Sequence, residues 1–181
     1  MLAQSACRLY YFIVMKKILI YPHEILRQEA QAVNRIDGEF QGLIDQMLKT
    51  MYQARGLGLA ANQIGELKQL VVMDVTPSEE KPNPIVLINP RITELEGEEV
   101  GEEGCLSVPN YTAPVKRALR LHLLGYDRNG KELKLEAEGL LARCIQHELD
   151  HLKGVCFVDR INPVRKVLFR KKWPKIRPKE E

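Results

Sequence analysis

No apolar stretch in the sequence approaches the roughly twenty residues a helix needs to cross a bilayer. The longest near the N-terminus is LYYFIVM, residues 9–15. A membrane-spanning helix is therefore not expected. A cleaved secretory leader is not expected either, because Lys16 and Lys17 follow that run where small residues would be required. Cysteine is sparse: Cys7, Cys105, Cys144 and Cys156 form no C-x-x-C pair and no dense framework. That excludes a disulfide-stapled scaffold and points to a reducing, cytoplasmic setting. Internal repeats and low-complexity segments are absent as well. Charge of one sign is not in large excess, with a net +3 for 181 residues, but it is unevenly spread. From Arg160 to the end, nine Lys or Arg stand against two Glu. A solvated basic tail is the ordinary reading, and docking on an acidic partner such as RNA is the alternative.

What is present suits one soluble domain with a proper core. Met15 begins MKKILIYPHEILR, which reads as a natural start, so residues 1–14 are expected to be an upstream extension. Residues 25–33 suggest a short helical turn. The stretch DGEFQGLIDQMLKTMYQARG predicts an amphipathic helix, with Phe40, Leu43, Ile44, Met47, Leu48 and Met51 on one face, Asp37 as N-cap and Gly56 as stop. LKQLVVMDV and IVLINP predict an antiparallel pair of strands separated by a proline-rich loop. Alternating leucines on either side of DRNG predict a hairpin, with His122 on its polar face. EGLLARCIQHELDHLKG predicts a helix that ends at Gly154 and has a greasy face of Leu140, Leu141, Ile145, Leu149 and Leu152.

Histidine is scarce too, four in the chain, and two of the four fall in QHELDHLKG. One helical turn separates His147 from His151, so both imidazoles leave the same face and can grip one ion. Glu148 is rotated aside, close enough to act on a water held by that ion without ligating it. A catalytic ion of this kind takes three protein ligands and keeps one position open. Cys144 shares the helical face, but lies roughly 10 Å along the axis from His151 and cannot complete the set. Cys105, in EEGCLSVP, is the remaining thiol in a suggestive setting, flanked by Gly104, Ser107 and Pro109 in an expected tight loop. In GLGLAANQIG, a glycine-rich loop would project Gln63, whose amide can donate to a developing oxyanion. Two other readings stay open: a zinc endopeptidase, which lacks the expected downstream third ligand, and a metal module that docks on RNA.

GLGLAANQ, EGCLS and QHELDH, in this order, resemble the motifs of the peptide deformylase family, from about KKILIYPHEILR to the segment after FVDRINPVRK. Asn62 occupies the one position of the first motif that the family lets vary. The resemblance implies an α+β fold, with antiparallel sheets surrounding a central helix that carries the histidines. It also implies an enzyme that removes the formyl group from the N-terminal methionine of nascent polypeptides. Cys105, His147 and His151 would hold one divalent ion, ferrous iron in vivo, with zinc, nickel or cobalt as substitutes. Glu148 would be the general base, and Gln63 with the Leu106 backbone N–H would share the oxyanion. Leu57, Gly58 and Cys144 would line the methionine pocket. On this reading, residues 15–173 are a single catalytic domain and 174–181 a charged tail that could dock on the ribosome. The segment from Lys171 onward is expected to be dispensable for hydrolysis of a small peptide.

Overall fold

The computed structural model describes residues 16–76 and 80–178. The expected extension at 1–14 lies outside them. The architecture is α+β. Helix α1 (Gly38–Gln53) precedes β1 (Gly58–Ala60), β2 (Leu70–Met73), β3 (Ile85–Glu96), β4 (Glu99–Cys105), β5 (Val108–Arg117), β6 (Arg120–Tyr126) and β7 (Glu132–Glu138). Helices α2 (Gly139–Leu152) and α3 (Pro163–Ile176) follow. Five strands form an antiparallel sheet in the order β1-β2-β3-β6-β7, and β4 and β5 form a separate antiparallel pair.

Successive side chains of a strand point to opposite faces, and both faces of β2 are covered, which explains its unbroken apolar run. Val71 and Met73 pack toward α2 with Leu121, Leu123, Ile145 and Leu149. Leu70 and Val72 pack toward α1, against Phe40, Leu43, Ile44, Met47 and Met51. Helix α1 starts as expected, the Asp37 carboxylate accepting the Phe40 amide N–H at 3.0 Å. It stops at Gln53, before Gly56, and the left-handed residue in its exit turn is Arg55 (φ 55°). The β6–β7 hairpin pairs Leu121 with Ala137 and Leu123 with Leu135 on the inner face. Its outer face puts His122 beside Glu94 and Glu96, half exposed.

Several expectations differ from the structure. The helical turn expected over 25–33 is only the short 3-10 turn Glu24–Arg27, after which Gln31 bridges to Lys68. Leu140, expected on the buried face of α2, is 54% exposed, because it faces an open cavity that Leu57 and Leu106 also line. In EEGCLSVP the tight turn is confined to Leu106 and Ser107, because Cys105 ends β4 and Val108 begins β5. The β4–β5 pair closes a third core with Phe157, Val158, Ile161, Phe169 and Trp173. Helix α2 thus lies between two sheets. Helix α3 runs to Ile176, and its buried Trp173 donates to the Tyr21 carbonyl at 3.1 Å. Truncation from Lys171 would therefore remove a core side chain, and a fall in thermal stability is expected of it.

Candidate metal centre and pocket

The thiol and the two imidazoles meet. Donor atoms of Cys105, His147 and His151 all lie within 4.8 Å of one another, and Cys105 Sγ is 3.1 Å from His151 Nε2. The one-turn spacing on α2 sets the two rings 5.0 Å apart, while β4 delivers the thiol from the opposite side. The third donor thus comes from a strand far upstream of the helix, whereas an endopeptidase reading would want it just downstream.

Burial shapes the electrostatics. Burial disfavours a charged His147, but the neighbouring Cys105 and Glu103 outweigh it and push its pKa well above the usual value. Glu103 Oε2 sits 2.9 Å from His147 Nδ1, which fixes the ring and leaves Nε2 available. His151 is held well below its ordinary pKa, by burial first and then by His147 and Arg117, so it stays neutral. Neutral imidazole is the form that binds a metal, so His147 would shed a proton on taking up an ion. Glu103 resists its own burial because His147 and Arg117 hold it ionised, down to about 2. Behind it runs a chain of charges: Arg117 grips Glu103 at 2.9 and 3.0 Å and Asp150 at 2.5 Å, and Arg160 reaches Asp150 at 2.6 Å.

Glu148 stands apart from the three donors. It is only 4% exposed, and burial raises its pKa to about 7. Its Oε2 and His151 Nδ1 have no hydrogen-bond partner within the protein, an arrangement that costs about 1–3 kcal/mol per group unless something else satisfies it. Gly58 makes room for this carboxylate, since a Cβ at position 58 would lie 2.5 Å from Glu148 Oε1. The glycine-rich segment is a short strand and a 3-10 turn (Ala61–Ile64), not a loop. The Ala60 N–H fixes the Gln63 carbonyl oxygen at 2.8 Å, so the amide nitrogen turns to Ser107 Oγ at 3.1 Å and Cys105 Sγ at 3.5 Å. Asn62 donates to the His151 carbonyl. Gln63, Cys105, His147 and Glu148 border a cavity of about 340 Å³ whose lining also includes Leu57, Gly58, Leu106, Leu140 and Cys144. The Cys144 thiol lies 3.6 Å from the Leu57 carbonyl and is raised well above its ordinary pKa by burial.

A thiolate and two imidazoles suit a divalent transition metal. His151 turns Nε2 to the Cys105 thiol and His147 spends Nδ1 on Glu103, leaving Nε2, so the donor set fits such an ion. The sequence profile of polypeptide deformylases matches residues 15–167. The chain belongs to the polypeptide deformylase family. This deformylase-family chain is 53% identical over 153 residues to a peptide deformylase of Thermodesulfovibrio yellowstonii, covering 84% of this chain and 93% of that one. It is 50% identical over 158 residues to one of Syntrophobacter fumaroxidans, covering 87% and 93%. A crystal structure of a peptide deformylase from Legionella pneumophila superposes with a TM-score of 0.84 at 44% identity, over 90% of this chain and 95% of that one. One from Synechococcus elongatus, in complex with actinonin, gives 0.82 at 44% identity over 91% and 92%.

Sequence reasoning missed Glu103, Arg117, Arg143 and Asp150. Glu103 and Asp150 stand beside the motif residues, but their roles depend on the β4–β5 register and the docking of α2.

Proposed function

We propose that this chain hydrolyses the formamide bond of N-formyl-methionyl polypeptides, releasing formate and a free amino terminus. The observation that carries it is the convergence of Cys105, His147 and His151, the first two on a pocket wall, beside the buried Glu148 carboxylate. Three donors rather than four, next to an open cavity, favour a catalytic over a closed structural site. A cation held by the three would supply Lewis acidity, activating water near neutral pH and polarising the formyl carbonyl. Ferrous iron is the proposed ion in the cell, and zinc, nickel or cobalt suit the same donors.

The protein's own groups do the rest. Glu148 takes the proton of the attacking water and passes it to the departing α-amine. Its burial keeps bulk water from competing for that proton. Gln63, its carbonyl oxygen pinned by Ala60, offers its amide hydrogens to the developing oxyanion, and the Leu106 backbone N–H is the second donor. Leu57, Gly58 and Cys144 line the space for the methionine side chain. The substrate would be met in the cytoplasm as it leaves the ribosome. The exposed basic side chains Arg170, Lys171 and Lys175 of α3 suit docking on ribosomal RNA, and no helix among the described residues is long and apolar enough to cross a membrane. The test is metal dependence. Formate release from a formyl-methionyl peptide should disappear on chelation and return with added ion, and release that persists in the stripped protein would refute the proposal.

A further inference from the structure

The three donors come from two separate elements. Cys105 ends β4, whereas His147 and His151 ride on α2. Metal–ligand distances tolerate only about 0.2 Å of error, so a small drift of the β4–β5 pair against α2 would separate the thiol from the imidazoles. Arg143 crosses that junction on the pocket side. It sits one turn before His147 on α2 and lines the same cavity. Its guanidinium donates to both strands of the pair: Nη1 to the Val115 carbonyl at 2.9 Å and to Glu103 Oε1 at 3.0 Å, and Nη2 to the Glu99 carbonyl at 3.2 Å. His147 meets the other oxygen of the same Glu103 carboxylate at 2.9 Å. Two residues one turn apart on α2 thus hold the two oxygens of one side chain on β4. Gly101 leaves space for the clamp, since a Cβ there would stand 3.0 Å from Arg143 Cζ. Arg117 makes the reverse tie, from β5 to Asp150 on α2, and with Asp150 borders a different cavity.

We propose that Arg143 is a positioning residue for the metal centre. It clamps β4 and β5 onto α2 and thereby holds Cys105 within bonding reach of the ion that His147 and His151 grip. This rests on the reading of those three residues as ligands. The experiment uses cobalt(II) as probe in the full chain, comparing wild type with Arg143→Met, Arg143→Lys and Gly101→Ala. Three quantities are recorded: the thiolate-to-cobalt charge-transfer absorption, the rate of cobalt loss to a chelator and the thermal midpoint.

Arg143→Met should lose cobalt about 10- to 100-fold faster, the usual effect of removing a group that orients a ligand, with a weakened charge-transfer band. Arg143→Lys should recover part of both, because an ammonium can still reach Glu103 or a carbonyl. Gly101→Ala, which pushes the guanidinium without deleting it, should move both in the same direction as Arg143→Met. A merely structural Arg143 would lower the thermal midpoint and leave the band and the loss rate at wild-type values, and that result overturns the proposal. Should Arg143→Met fail to fold, wild-type behaviour in both Arg143→Lys and Gly101→Ala overturns it equally. A wild type that takes up no cobalt would instead refute the ligand reading beneath it.

Discussion

At the scale of single residues, two carboxylates beside the same three donors, one from β4 and one from α2, are put to opposite uses by their surroundings. Glu103 has Arg117, Arg143 and His147 around it and is ionised far below its ordinary range. Glu148 is buried with one oxygen unpartnered, and its proton affinity rises. The first can orient a ligand and the second can exchange a proton, which is the division of labour that water-splitting chemistry needs. Glu148→Gln keeps the size of the side chain and leaves all three donors in place. The variant should therefore bind a full equivalent of metal by elemental analysis, yet release formate about 10²- to 10⁴-fold more slowly, the usual loss for a general base. Loss of the metal in this variant would mean that Glu148 is itself a ligand. Wild-type turnover would mean that the proton moves through another group.

At the scale of elements, α3 presents two faces with different expected consequences. Phe169 and Trp173 face inward against Tyr21 and Tyr111, while Arg170, Lys171 and Lys175 face solvent. Trp173→Ala should cost about 3–5 kcal/mol in denaturant unfolding. Reversing Arg170, Lys171 and Lys175 to Glu should leave that stability and the hydrolysis of small peptides intact but weaken salt-dependent ribosome binding. Unchanged ribosome binding would reduce the basic face to solubilising surface. The same contrast explains which elements were legible in the sequence. Helices α1 and α2 and the β6–β7 hairpin announce themselves because each has an apolar face and a polar one, although in α2 the polar face is buried too. The β4–β5 pair does not. Its inward positions include Glu103 and Arg117, charged residues where the alternation should be apolar, and its strands contain Gly101, Gly104, Pro109 and Pro114. Those two charges pair across the strands, and Asp150, Arg143 and His147 join them only when α2 docks, so no local pattern records them. The motifs named Cys105, His147, His151 and Glu148, which the fold brings together, while the contacts of Glu103 and Arg143 across the junction of β4 and α2 left no local trace.

At the scale of the whole molecule, the helix bearing the histidines is held between two sheets, by an apolar core on one side and a network of ions on the other. The ionic side makes the fold sensitive to acid. Because the folded state holds Glu103 at about 2 against an ordinary 4.5, its contribution is complete above the ordinary value and is lost as pH falls through the folded one. Stability measured by denaturant should therefore decline between those two values. Glu103→Gln should flatten that decline, and an unaltered slope would assign acid unfolding to other carboxylates. The pocket between the sheets also bears on what is cleaved. A formyl carbonyl carries only hydrogen, so a narrow space beside the donors can admit it and reject a carbonyl with a chain on that side. The most direct measurement is mass analysis of every product formed by the metal-loaded protein from matched formyl-methionyl and acetyl-methionyl peptides. Formate and the intact free-amine peptide from the first, with the second untouched, is the expected result. Cleavage of internal bonds in either peptide, or equal removal of acetyl and formyl groups, would contradict it.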